Sequence, residues 1–151
     1  MQIWVDADAC PSVIKEIIIR ASQRTNTKVI LVANKPLRVP LNGLVSTIQV
    51  SKGFDVADNK IVQLMQPGDI VITADIPLAD EVVAKKGRAI NPRGELYTPE
   101  NIKDRLATRD LMEQLRDFGM VTGGPKTLGL RDRQDFANQL DRLLAASTAR
   151  G

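Results

Sequence analysis

Short apolar runs alternate with helical spacings through the first ninety residues, the pattern of repeated β-α units around a mostly parallel sheet. Ile3-Trp4-Val5 reads as a first strand. Val13, Ile14, Ile17, Ile18 and Ala21 follow at helical spacing behind Pro11, a residue favoured in the first turn of a helix. Val29 to Ala33 reads as a second strand ended by Asn34-Lys35-Pro36, and Val45 to Val50 as a third. A helix starting near Asp55 would turn Ala57, Ile61, Leu64 and Met65 inward before Pro67-Gly68 stops it. Ile70-Val71-Ile72 is the next strand, Pro77 opens a helix through about Lys86, and Arg88-Ala89-Ile90 forms a short edge strand ahead of the turn-rich Asn91-Pro92-Arg93-Gly94.

Beyond that turn the spacing becomes purely helical. Thr98 as N-cap and Pro99 at the first helical position start a long helix to about Phe118, and a loop covers Gly119 to about Leu130. Phe136, Ala137, Leu140, Leu143 and Leu144 then share one face of a final helix, so the C-terminal helices are expected to pack on the domain. The pattern predicts one α/β domain over residues 1–146 and a frayed tail over 147–151.

Composition narrows the chemistry. The 151 residues, 43% hydrophobic and 26% charged, suffice for a core that needs no disulfide or structural metal. Cys10 is the single cysteine, which excludes an intrachain disulfide framework and a cysteine-rich zinc site. The absence of histidine removes Ser-His-Asp triads, Cys-His pairs and HExxH zinc sites. Acid-base or metal chemistry must then rest on carboxylates, whose oxygen ligands favour Mg²⁺ or Mn²⁺. A net charge of +3 without a basic tail permits a nucleic-acid partner without demanding one, and 3% aromatic residues argue against a base-stacking sheet. With no apolar segment long enough for a membrane and no signal-peptide pattern, the expected location is the cytoplasm, with no membrane partner.

Two aspartates stand out. In a parallel α/β sheet, ligands bind beyond the carboxyl ends of the strands, where strand order reverses. Asp6 ends the first strand and Asp75 ends Ile70-Val71-Ile72-Thr73-Ala74. If those strands are adjacent, two carboxylates about 4 Å apart repel by roughly 4 kcal/mol at an effective dielectric near 20, which a divalent cation would offset. Such a cation polarises a phosphoryl oxygen and acidifies a bound water without any histidine. Asp58, one turn before Ile61, lies at the edge of a buried helix face, and Asp80 lies early in the helix opened by Pro77. Taken singly, Asp80 can complement a helix dipole, Asp55 can cap a helix, and Asp69 sits in a Gly-Asp turn.

Asp6, Asp58 and the run GDIVITADIPLAD (68–80) resemble the pattern of PIN-like metal-dependent ribonucleases. VDADACP (5–11), ITADIPLAD (72–80) and GGPKTLGLRDRQDFANQLDRLL (123–144) resemble the YaiI/YqxD group of bacterial proteins along nearly the whole chain. The resemblance implies a three-layer α/β/α sandwich with clustered acids binding Mg²⁺ or Mn²⁺, and a phosphodiester hydrolase acting on nucleic acid, with RNA as substrate. It places Asp6 first, Asp58 or the competing Asp55 second, Asp75 third and Asp80 fourth among the acidic positions, with the metal held by Asp6, Asp75 and Asp80. Asp8 and the C-terminal GGPKTLGLRDRQDF segment depart from the minimal PIN pattern and admit another phosphate ester.

Two other readings remain open. Asp6-Ala7-Asp8 matches the DxD signature of haloacid dehalogenase-like phosphotransferases, with Thr73 as the second-motif hydroxyl, although Pro11 leaves little room for the flap of such enzymes. A non-catalytic RNA- or nucleotide-binding module would keep the fold and the acidic cleft. Lys126, Arg131 and Arg133 flank a glycine-rich loop and are candidate phosphate contacts, supported by Lys35 and Lys52, while Arg131-Asp132-Arg133 paired with Asp135 is the structural alternative. The loop lacks P-loop spacing. Cys10 and Trp4 read as core.

Overall fold

A computed structural model describes residues 1–53, 55–120 and 127–150, with side chains through 146. Its strands are β1 (Gln2–Asp6), β2 (Lys28–Ala33), β3 (Val45–Gln49), β4 (Ile70–Ile72), β5 (Arg88–Ile90) and β6 (Leu96–Tyr97). They form one sheet in the order β3-β2-β1-β4-β5-β6, parallel except for β6. The α-helices are α1 (Ser12–Thr25), α2 (Val56–Leu64), α3 (Ile76–Ala84), α4 (Ile102–Asp117) and α5 (Leu130–Arg150).

Alternation along the strands builds two cores. Ile3 and Val5 of β1, with Val29, Leu31, Ile70, Ile72 and Ile90, point to the face covered by α1 and α5. Trp4, with Ile30, Val32, Val71 and Ala89, points to the face covered by α2, α3 and the start of α4. The result is the expected three-layer α/β/α arrangement. Central strands buried on both faces explain why β2 and β4 read as continuous apolar runs.

Several local expectations shift. Arg88-Ala89-Ile90 is not an edge strand, because Leu96–Tyr97 folds back antiparallel beside it. Thr98 closes a capping turn ahead of α4, its hydroxyl accepting from Asn101 N while Asn101 Oδ1 accepts from Thr98 N, but the regular helix begins only after Asn101. Asn101 also donates to Leu96 O, which ties this turn to β6 and delays the helix to Ile102. Pro11 stands at the N-cap position of α1, one place outside the helix. Leu64 is exposed, whereas Ile61 and Met65 carry the burial of the α2 segment.

The C-terminal helices are packed unequally. Phe136, Leu140, Leu143 and Leu144 of α5 are buried against the α1 side. On α4 only Ile102 is fully buried, and Leu111 stays 54% exposed, so most of that helix does not cover the domain. The expected frayed end falls outside the described residues in its side chains from 147 onward and in residue 151.

Asp69 is more than a turn residue. It is 3% exposed and accepts hydrogen bonds from Gln2 N, Trp4 Nε1 and Gln66 N at 2.9–3.0 Å. This buried acceptor joins the starts of β1 and β4, at the end of the sheet opposite Asp6 and Thr73.

Candidate functional site

Strand order reverses between β1 and β4, whose outward chain paths lead to opposite sides of the sheet. Register pairs Val5 with Ile72, so Asp6 and Thr73 leave the sheet side by side. Thr73 is 2% exposed; its hydroxyl donates to Asp6 Oδ2 at 3.3 Å and accepts from Asp75 N at 3.0 Å. One buried hydroxyl therefore orients both strand-end segments. Asp75 also caps α3 by accepting from Leu78 N at 2.9 Å.

α2 supplies the remaining acids. Asp55 occupies its N-cap position with φ +61° but makes no side-chain cap bond, so its carboxylate is not spent on the helix. A left-handed backbone at a non-glycine residue is uncommon, though tolerated by aspartate, and such strain gathers at functional sites. Carboxylate oxygens of Asp55, Asp58 and Asp75 all lie within 4.8 Å of one another. They line a cleft of about 240 Å³ with Asp8, Asn34 and Ser51.

The electrostatics follow from this crowding. Burial pushes the Asp58 carboxyl up to about 7, aided by the charges of Asp75 and Asp6, a hydrogen-bonding contact with Asp75, and the charge of Asp55. Asp6 is also raised, chiefly by burial, against the opposing hydrogen bond from Thr73 and with further repulsion from Asp75 and Asp8. Among the described residues no salt bridge neutralises any of these carboxylates. Oxygen donors with uncompensated negative charge suit a hard divalent cation.

The structure sorts the sequence candidates as follows. Asp6, Asp58 and Asp75 come together, and Asp55 and Asp58, read as competitors, both join Asp75. Asp80 lies five residues along α3 and is not in the three-carboxylate group. Asp8 reaches across to accept from Asn34 N at 2.8 Å at the end of β2. A short 3₁₀ turn, Ala7–Ala9, leads almost directly into α1, which leaves no room for an inserted flap after β1.

Arg131 and Arg133 lie in the first turn of α5 and do not line the acidic cleft; Lys126 lies outside the described residues. Asp132 pairs with Arg93 at 2.8 Å and not within the helix, so the local pairing of Arg131 and Arg133 with Asp135 is absent among the described residues. The exposed Lys52 sits between the cleft residues Ser51 and Gly53. Burial pushes the Cys10 thiol up to about 12, outweighing the opposing charge of Lys15, which suits core packing and not nucleophilic attack.

Sequence reading missed Asn91, Arg93 and Tyr97. The Asn91-Pro92-Arg93-Gly94 turn signalled only a reversal of the chain, and β6 was too short to register. Tyr97 is 5% exposed, its hydroxyl accepts from Asn91 Nδ2 at 3.2 Å, and burial is the main cause of its raised pKa.

An open α/β sheet carrying a carboxylate cleft at its reversal point is the class that fold and site define. Residues 4–146 match the family described as "Uncharacterized BCR, YaiI/YqxD family", and the chain belongs to it. It is 61% identical over 147 residues to a "UPF0178 protein" of Alkalilimnicola ehrlichii, covering 97% of this chain and 99% of that protein. It is 60% identical over 144 residues to UPF0178 proteins of Yersinia pestis strain Pestoides F and Yersinia pseudotuberculosis serotype O:3, covering 95% of each chain. No solved structure matches the chain. Among the described residues no helix is long and apolar enough to cross a membrane.

Proposed function

We propose that the protein is a divalent-metal-dependent phosphodiester hydrolase of PIN-like type that acts on RNA in the cytoplasm. The observation that carries this reading is the convergence of Asp6, Asp55, Asp58 and Asp75 at the strand ends without a basic partner. Asp58 and Asp75, with Asp55 or Asp6 beside them, would hold Mg²⁺ or Mn²⁺; Asp80 is not needed to complete that group. Bound there, the cation supplies charge neutralisation and polarisation of a phosphoryl oxygen.

The chain's own residues contribute orientation and proton control. Thr73 directs the Asp6 carboxylate and anchors the Asp75 backbone through its two hydrogen bonds, while Leu78 N holds the Asp75 carboxylate. Asp58, poised at about 7, holds a proton against Asp75 near neutrality and releases it when positive charge enters the cleft. The exposed Lys52 at the rim adds a cation for a phosphate chain.

Calorimetric titration of Mn²⁺ and Mg²⁺ into metal-free protein and into Asp6→Asn and Asp75→Asn, with RNA cleavage assayed on the same samples, tests the reading. Saturable binding lost in the variants together with metal-dependent cleavage supports it. Saturable RNA binding with a steep salt dependence and no product in Mn²⁺ refutes hydrolysis in favour of a binding module.

A further inference from the structure

A second cavity opens beside the acidic cleft. It measures about 300 Å³ and is walled by Ala9, Pro11, Ala74, Pro92, Tyr97 and Leu128. Two of its wall residues adjoin cleft residues along the chain: Ala9 follows Asp8 and Ala74 precedes Asp75, and both aspartates line the cleft. Consecutive Cα atoms lie about 3.8 Å apart, so the two linings come within one residue of each other at both places.

The lining is apolar with a few directed donors. Asn91 Oδ1 already accepts from Arg93 N at 2.9 Å and Glu95 N at 3.0 Å. Asn91 Nδ2 spends one hydrogen on Tyr97 Oη, and the Tyr97 hydroxyl proton has no acceptor among the described residues. Arg93 spends one N–H on Asp132 Oδ2 at 2.8 Å, which holds its guanidinium in place. A buried phenol with an unused proton, 5% exposed, is paired when a ligand brings an acceptor.

We propose that this cavity seats the base of the nucleotide next to the phosphate in the acidic cleft. The inference rests on the proposed phosphodiester chemistry and adds the part of the substrate that the carboxylates do not touch. A nucleobase presents a flat apolar face to Pro11, Pro92 and Leu128 and carbonyl or ring-nitrogen acceptors to Tyr97, Asn91 and Arg93. A hydrocarbon chain would leave the donors unpaired. The volume stands at the lower end of small-ligand sites, the size for one ring system. Low aromatic content rules out an extended stacking surface and is compatible with a single enclosed base.

The test uses the whole chain, with NMR shifts of the Ala9, Ala74, Asn91 and Tyr97 amides followed during titration with adenosine, guanosine, cytidine and uridine. Ribose 5-phosphate serves as the phosphate-only control, and UMP and UpU distinguish a free nucleotide from a strand. At least one nucleoside is expected to shift these amides saturably in the wild type and in Asp75→Asn. Ala74→Leu and Ala9→Leu, on separate segments and both at exposed positions, should weaken that binding at least tenfold. Two variants keep the test valid if one fails to fold. Nucleosides that leave these amides unmoved, ribose 5-phosphate that reproduces the shifts, or folded leucine variants that bind equally well would overturn the proposal. Because nucleosides carry no phosphate, saturable nucleoside binding without any metal-dependent cleavage upholds the base site and refutes the hydrolase. Cleavage with unchanged KM and product pattern in both leucine variants does the reverse.

Discussion

Replacing Asp58 with Asn should stabilise the metal-free protein at alkaline pH, and the gain should vanish in acid. Asp58 ordinarily titrates at 3.8 and is held at about 7 in the fold. Between those values the folded chain keeps a proton that the unfolded chain has lost, so stability falls as pH rises through this window, and the full cost stands above it. In a sealed site the displacement would correspond to ~4 kcal/mol. The cleft is open to solvent, and screening reduces this to about 1–2 kcal/mol. For a domain of this size, that is roughly 2–8 °C in Tm near pH 8. Thermal unfolding of wild type and Asp58→Asn in chelator, at about pH 8 and about pH 4, measures it, with the difference between proteins cancelling the acids outside this cluster. Added Mg²⁺ should raise the wild-type Tm more than the variant's, since it binds the folded carboxylates. A variant less stable than wild type near pH 8, or an equal gain at both pH values, would refute the crowding of Asp58 with Asp75, Asp6 and Asp55.

Other outcomes follow from single contacts. Asp6→Asn and Asp75→Asn should each abolish metal-dependent cleavage while retaining the Thr73 bond and the α3 cap, so circular dichroism should stay native; unchanged turnover in both would sink the catalytic reading. Asp69→Ala strands three donors, one of them the Trp4 indole, and should cost about 3 kcal/mol or more, seen as a lower denaturation midpoint and altered Trp4 fluorescence; a midpoint like wild type would contradict its structural role. Gly94→Ala places a Cβ 2.6 Å from the Asp135 carbonyl carbon and 2.7 Å from Phe136 N at φ +92°, whereas Gly119→Ala at φ +72° meets nothing within 4 Å. Chemical denaturation should show a loss of about 1 kcal/mol for the second and clearly more for the first; equal losses would mean that α5 yields to the new methyl group.

Much of the frame was legible in the chain because apolar spacing encodes which face of an element is buried. Continuous runs at Val29 to Ala33 and Ile70 to Ile72 marked doubly covered strands, and Asp6 stands at a strand end as its run predicts, whereas β4 stops at Ile72 and Asp75, read as the end of that strand, is the N-cap of α3. Local spacing says nothing about which strands become neighbours. Only the β1–β4 pairing places Asp6 beside Thr73, and only the path of α2 across the strand ends brings Asp55 and Asp58 to Asp75. Asp55 had every local reason to cap its helix, yet its backbone adopts a left-handed turn and no cap bond forms. Asp69 reads as a turn residue from its neighbours, and it becomes a buried acceptor through contacts to Gln2 and Trp4 more than sixty positions away. Strand β6 escaped notice because two residues carry no periodicity, and its pairing with β5 is what positions Tyr97 beside Asn91. Sequence by itself determined the layers, the absence of imidazole chemistry, and the acids Asp6 and Asp75 just beyond two apolar runs. The tertiary structure decided which other carboxylates join them, because that depends on helix placement and loop conformation set by contacts between distant segments.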